Sequence, residues 1–199
     1  MSNAPIHRHT IAALVTNEPG VLAQVAGMFA ARGFNIDSLV VGRTENPELS
    51  RMTIVALGSD AVLEQVRKQL EKLVPVVQVV DFQHAAVVER DLALVSISTH
   101  QDGKPAGART DILQITDLFR GAVVDVAADR VMVKLEGTEE KIGAFLDLVR
   151  PFGILDMART GVIAMARGGS APGKPGRARA AVAAGNKEES IDLSALPPG

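Results

Sequence analysis

The sequence predicts an α+β protein of two tandem βαββαβ units followed by a tail, and three observations carry that expectation. Apolar periodicity switches between the strand and the helix repeat in the same order twice. A basic residue followed by glycine closes the first helical stretch of each half, at Arg32-Gly33 and Arg120-Gly121. Composition then changes abruptly: of the 33 residues from Arg167 to Gly199, 17 are Gly, Pro or Ala.

In the first unit Ile11, Ala13 and Val15 alternate within Thr10–Thr16 as a strand does. The turn Asn17-Glu18-Pro19-Gly20 follows, then Leu22, Val25, Ala26 and Phe29 at helical spacing. Arg32 and Gly33 supply a basic last turn and a glycine past the cap. Ile36–Gly42 and Arg51–Leu57 read as strands around a polar loop with Asn46-Pro47. Ser59-Asp60 marks a second helix start. Leu63, Val66, Leu70 and Leu73 give that helix its apolar face, and Val76–Phe82 is a continuous apolar strand.

The second unit repeats the order. Leu92–Ser98 is a strand; Ile112, Ile115, Thr116 and Phe119 are a helix face. Val123–Val126 and Val131–Leu135 are strands, and Thr138 caps a helix presenting Ile142, Phe145, Leu146 and Val149. Pro151 and Gly153 break it, and Ile154–Met165 is a strand or a strand pair bent at Gly161. These are split-βαβ, ferredoxin-like units. The expected boundaries are 8–84, 88–166 and a disordered, basic Gly/Pro/Ala tail at 167–199, with the junction near Gln83–Arg90. The tail cannot bury enough apolar area to offset its ordering entropy; Ile191-Asp192-Leu193 is at most a weak docking handle in it. Each unit, about 75 residues, has a marginal core of its own, and helices on one sheet face leave the other face and the edges to be covered. The apolar runs Leu39-Val40-Val41 and Val76-Val77 favour burial on both faces, so the units pack together or the chain pairs with a second copy. A homodimer or larger assembly is expected.

Several function classes are disfavoured. The 199 residues hold no cysteine, tryptophan or tyrosine, so there is no thiolate metal site and no thiol nucleophile. A net charge of −2 gives no global attraction to nucleic acid or anionic membrane. Six phenylalanines leave little for base stacking, and Phe82 alone falls in a clear strand. No apolar run reaches membrane-span length and Met1–Thr10 lacks an apolar leader core, so a cytoplasmic location is expected. Phosphate-loop, nucleophile-elbow and zinc-protease motifs are missing. His7, His9, His84 and His100 are scattered; His7 and His9 share a strand face, where two metal ligands could meet, but frayed polar residues are the simpler reading. Glu64, Glu71 and Glu139 are spaced as surface acids, not as a general acid/base pair.

The informative segment is Asn17-Glu18-Pro19-Gly20-Val21-Leu22. Proline in a first helical turn loses no hydrogen bond, and Gly20 lets a ligand approach the backbone. Unpaired amides and the positive helix end then suit a carboxylate. Asn17 either caps the helix or binds a ligand ammonium through its side-chain oxygen. An ordinary βα turn would look the same. Arg32-Gly33-Phe34-Asn35-Ile36-Asp37-Ser38-Leu39 adds a second clue, because Asn35 serves no evident structural purpose at the start of a strand.

A βαββαβ unit carrying both segments resembles an ACT domain, a module that binds amino acids at dimer interfaces. The likeness is closer still: Leu49–Val55, Gln69–Val76, Val88–Val95, Leu118–Gly121 and Ala158–Val162, in this order and spacing, resemble the regulatory small subunits of acetolactate synthase over roughly residues 8–168. The resemblance implies a chain with no catalytic residues and no cofactor or metal of its own. It would activate a catalytic large subunit, on which thiamine diphosphate, Mg and FAD are expected, and mediate feedback inhibition by valine or another branched-chain amino acid. Its effector site would map to Asn17, Glu18, Pro19, Gly20, Val21, Leu22, Asn35 and Ile36, with Gly42 at a feedback-associated position. In that site the carboxylate would meet amides around Gly20 and Val21, Asn17 and Asn35 would hold the ammonium, and Leu22 or Ile36 would line the side-chain pocket. The alternative is a stand-alone ACT-domain sensor for another enzyme. A transcription factor would need a basic recognition helix, which is missing.

Overall fold

The computed structural model describes residues 6–83, 85–100 and 107–168. The expectations for the tail past residue 168 and for His84 lie outside the described residues. The first unit runs β1 (His7–Thr16), α1 (Val21–Ala30), β2 (Ile36–Arg43), β3 (Leu49–Gly58), α2 (Asp60–Leu70) and β4 (Val76–Asp81). The second runs β5 (Val87–Ser98), α3 (Ala108–Leu118), β6 (Ala122–Val126), β7 (Arg130–Gly137), α4 (Glu139–Val149), a 3-10 turn (Arg150–Phe152), β8 (Ile154–Arg159) and β9 (Ile163–Ala166).

Both halves therefore have the split-βαβ order inferred from periodicity. The first sheet is ordered β2-β3-β1-β4 and the second β6-β7-β5-β8, all antiparallel. The strand alternation puts Ile11, Ala13, Val15, Met52, Ile54 and Ala56 against the helices, where they meet Val25, Phe29, Leu63, Val66 and Leu70 in one core. Ala93, Val95, Ile97, Val131, Val133 and Leu135 do the same against Ile112, Ile142, Phe145 and Val149.

Three local readings are corrected. The buried face of α1 is Val21, Val25, Met28 and Phe29, whereas Leu22 is 46% exposed. The helix begins at Val21, and that residue, not its neighbour, turns into the core. At the end of α3 it is Arg120 that takes the left-handed conformation (φ 52°). Gly121 is needed instead for closeness: a Cβ there would lie 3.0 Å from Thr116 Cγ2 and 3.2 Å from the Lys134 carbonyl. Phe82 lies one residue beyond β4 and is buried.

The fifth strand starts at Val87, inside the stretch expected to be a junction. Its first part pairs with β9 and its second with β7 and β8. The β5–β9 ribbon lies on the face of the first sheet opposite its helices, where Ala12, Val80, Phe82 and Ala164 form a third apolar cluster with Ala85, Val87 and Ala166. Thr53 and Val55, also on that face, are buried. The cover that a one-sided sheet requires thus comes from the second unit. The ribbon is reached through a bend at Thr160–Val162, with Gly161 at φ +86°. The buried Asp91 carboxylate holds that bend. It accepts bonds from the Arg159 guanidinium, from Thr160 Oγ1 at 3.2 Å and from the Gly161 amide at 3.2 Å.

Candidate functional site

The β1–α1 turn departs from an ordinary capped helix start. Gly20 is the N-cap, in the left-handed region (φ 85°), and offers no side chain to the helix. The Val21 amide makes a long bond, 3.4 Å, to the Glu18 carbonyl, and the Leu22 and Ala23 amides have no carbonyl partner among the described residues. A Cβ at Gly20 would meet nothing within 4 Å. The Leu22 and Ala23 amides are therefore left without a helical acceptor at the positive end of α1, next to a glycine with open space at its Cβ position. Glu18, Pro19 and Gly20 are exposed, and exposed Leu22 offers an apolar surface beside them.

Asn17 does not cap α1. Its Nδ2 donates to the Pro47 carbonyl at 3.0 Å, its Oδ1 accepts from Ser50 Oγ at 3.2 Å, and its amide donates to the Glu48 carbonyl at 2.7 Å. The side chain fastens the turn to the start of β3. One lone pair on Oδ1 is left for a ligand.

Asn35 and Ile36 lie elsewhere. Ile36 pairs with Ala56, while Thr16, which leads into the turn, pairs with Leu49. Seven residues of β3 separate these levels, about 24 Å of strand. Within one chain the two segments sit at opposite ends of the sheet. Gly42 falls at the turn's end, opposite Arg51, with open space where a Cβ would be. Between them runs β2, an edge strand of eight residues that pairs with β3 alone among the described residues.

Other groups are brought together without forming a reactive set. His9 is buried, its Nε2 3.4 Å from Asp60 Oδ1. Among the described residues no group of three or more His, Asp or Glu side chains could hold a metal ion. A cleft of about 520 Å³ runs along α2 past Glu64, Lys68 and Lys72. A second, of about 420 Å³, lies between the units and is lined by His7, His9, Asp60 and Glu89. Neither touches the Asn17–Leu22 turn. No described helix is long and apolar enough to cross a membrane.

The contacts that sequence reasoning missed join distant segments. Asp91 meets Arg159, Thr160 and Gly161; Ser38 Oγ accepts from the Val162 amide at 3.4 Å; Arg51 Nη2 donates to the Ala164 carbonyl at 3.1 Å. The only sequence signal for the first was a buried-strand pattern interrupted by an acid, with an arginine in the last strand region.

A βαββαβ unit with an open glycine turn before its first helix and a free β2 edge is an ACT domain, here followed by a second unit of the same design. Residues 11–78 match the family described as AHAS small subunit-like ACT domain, and residues 90–168 match the small subunit of acetolactate synthase. The chain is 45% identical to the acetolactate synthase small subunit of Aquifex aeolicus over 162 residues, covering 81% of this chain and 82% of that one. It is 42% identical to that of Mycolicibacterium smegmatis over 160 residues, covering 80% and 91%. The crystal structure of the acetolactate synthase small subunit from Thermotoga maritima superimposes with a TM-score of 0.72 at 38% identity, covering 81% of this chain and 98% of that one. The chain belongs to the acetolactate synthase small-subunit family.

Proposed function

We propose that the chain activates a catalytic large subunit of acetolactate synthase and makes it sensitive to valine or a related branched-chain amino acid. The observation that supports this best is the Gly20 turn, where the Leu22 and Ala23 amides lack a carbonyl acceptor among the described residues and the glycine has open space beside it. A carboxylate there would accept several amide bonds, each contributing about 1.5–3 kcal/mol, and the helix end favours its charge. Leu22 supplies apolar surface for an aliphatic side chain. Pockets of this kind separate side chains differing by one methylene by only about 1–3 kcal/mol, so valine, isoleucine and leucine bind with graded affinity.

The opposite-end placement of Asn35 gives this reading its quaternary form. Antiparallel pairing of β2 with β2 of a second copy carries the partner's Asn35 and Ile36 to the end of the sheet that holds Gly20. The effector site is then shared between two chains, and pairing and binding are linked. Residues opposite each other must share a face. Centring the pairing on Val40 meets that condition. It sets Val41 against the partner's Leu39 and Gly42 against the partner's Ser38, and it brings Asp37, at the irregularity between Ile36 and Ser38, level with the partner's Arg43.

The test is reconstitution. The purified chain is added to its catalytic subunit, and acetolactate formation is followed with and without valine. Stimulation by the chain, and inhibition by valine only when the chain is present, are expected. Stimulation with no response to any branched-chain amino acid would remove the effector assignment. No stimulation at all would remove the regulatory reading and favour a stand-alone sensor.

A further inference from the structure

The loop between β2 and β3 forms a bracket for Asn17. Within it Thr44 Oγ1 accepts from the Asn46 amide at 3.1 Å, Asn46 Oδ1 accepts from the Glu48 amide at 3.0 Å, and the Leu49 amide donates to the Asn46 carbonyl at 3.0 Å. These bonds hold the Pro47 and Glu48 carbonyls in place, and both accept from Asn17: Pro47 from Nδ2 at 3.0 Å, Glu48 from the backbone amide at 2.7 Å. Ser50 closes the bracket. It is 6% exposed, lies on β3 across from Val15 of β1 and Arg43 of β2, and its Oγ donates to Asn17 Oδ1 at 3.2 Å.

The bracket decides which way the carboxamide faces. A carbonyl only accepts, so the atom turned to Pro47 is the nitrogen. Oδ1 carries no hydrogen, so Ser50 is the donor. Turning the group over would set Oδ1 against the Pro47 carbonyl, acceptor against acceptor, and lose that bond. Oδ1 therefore stays an acceptor at a fixed place, and Ser50 is the only group among the described residues that donates to it. A ligand atom bonding to Oδ1 must carry hydrogen. The α-ammonium of an amino acid carries three, the hydroxyl of an α-hydroxy acid one, and the carbonyl of an α-keto acid none.

We propose that Ser50 is a positioning residue of the effector site: it holds Asn17 Oδ1 for an α-ammonium, so that the site selects amino acids against α-keto acids of the same carbon skeleton. This rests on the reading that the Gly20 turn binds an amino acid. The carboxylate and the aliphatic side chain are common to all three kinds of ligand, so neither the turn amides nor Leu22 tells them apart. Discrimination falls to the groups that meet the α-substituent, and Asn17 is the one whose orientation a single chain already fixes. A keto oxygen against Oδ1 leaves both acceptors unpaired, which is the situation in which a polar site rejects an analogue most strongly.

The experiment titrates the full-length chain with valine and with its α-hydroxy and α-keto analogues. Calorimetry reads the tight ligands, ligand-observed NMR reads the weak ones, and Tm is measured for each variant. Wild type is expected to bind the hydroxy acid about 10-fold and the keto acid about 100-fold more weakly than valine. S50A frees Oδ1 and is expected to weaken valine binding about 5- to 10-fold, while keto-acid binding stays as in wild type. S50T keeps the hydroxyl and should bind valine within about twofold of wild type. A keto acid that binds wild type as tightly as valine does would overturn the selection. An S50A chain that binds valine as wild type does, or that loses valine and keto-acid affinity in equal measure, would overturn the role of Ser50. Equal weakening in S50A and S50T, or a collapse of Tm in both, would make packing at this position responsible and overturn it too. If wild type binds no branched-chain amino acid, the effector reading falls first and this proposal with it.

Discussion

Gly20 and Asn17 are three positions apart and were legible to different degrees. Proline followed by glycine before an apolar helix signals an open turn, because few other sequences leave first-turn amides unobstructed. The fate of Asn17 was not legible, since Pro47 and Ser50, which bind its carboxamide, are some thirty residues away in sequence. Replacing Gly20 by Asp tests the turn. The left-handed backbone (φ 85°) strains any side chain, but aspartate tolerates it better than most, and the space is open. The variant should fold with a loss of about 1–2 kcal/mol. It should still stimulate the catalytic subunit and lose valine inhibition, because its carboxylate stands where the effector's belongs. A valine titration of reconstituted activity reads this out. At Glu64 the Arg67 hydrogen bond holds the carboxyl well below its usual range, at about 2. Arg67 also bonds Glu71 one turn on, at 2.5 Å. A depressed folded value stabilises the fold above the unfolded value of 4.5, and the effect fades as pH falls towards 2. The side chain is 45% exposed, so solvent screening limits the effect to about 0.5–1 kcal/mol. E64Q should unfold more easily than wild type at neutral pH by that amount in urea, with the gap closing as the solution is acidified below pH 4.5.

At the scale of elements, order and type were readable because each strand and helix carries its own periodicity. Val21 and Leu22 are both apolar, however, and sequence gives no reason to choose between them. Packing turns Val21 inward and leaves Leu22 for other uses. The start of β5 was harder, since Glu89-Arg90-Asp91 reads as a polar junction. Asp91 is a core residue only because Arg159, Thr160 and Gly161 come to it from the far end of the unit. The bend they form rests on β2: a Cβ at Gly161 would lie 2.5 Å from Ser38 Oγ and 3.1 Å from Val40 Cγ2. G161A therefore meets backbone strain and a clash together and should lose about 2–4 kcal/mol of stability. D91A leaves the Arg159 guanidinium without its main acceptor and should lose about 3–5 kcal/mol. Urea denaturation measures both. If the bend anchors the β5–β9 ribbon, hydrogen exchange at β9 amides should quicken in both variants before the β7 amides respond. Equal acceleration in both strands would mean the bend is only one part of a single cooperative unit.

For the whole molecule, the need for cover was legible in the sequence and its source was not. Helices on one face and apolar runs on the strands called for a second layer. Only the structure shows that the second unit's own ribbon supplies it on the first sheet, through Ala12, Val80, Phe82 and Ala164. Among the edges that remain, β2 is an eight-residue strand with half-exposed Val41, and such an edge invites pairing. Centred on Val40, self-pairing brings Arg43 level with the partner's Asp37 and, by symmetry, Asp37 level with the partner's Arg43. Both side chains are exposed and form no ion pair among the described residues. D37R sets two arginines opposite each other at both ends of the paired strands, and R43D sets two aspartates. Like charges facing across strands are unfavourable by about 0.2–1 kcal/mol at each site, so either single variant should raise the dimer dissociation constant by about two- to thirty-fold. The double variant D37R/R43D restores opposite charges at both ends and should return to near the wild-type value. Sedimentation across a dilution series distinguishes these cases, and salt should narrow the differences. Valine binding should follow dimerisation in the same order, weak in each single variant and recovered in the double, because the partner's Asn35 reaches the Gly20 turn only in the paired sheet. Single variants that stay dimeric at every dilution would mean that β2 is not the joining edge. Monomers that bind valine as tightly as the wild-type dimer would place the site within one chain.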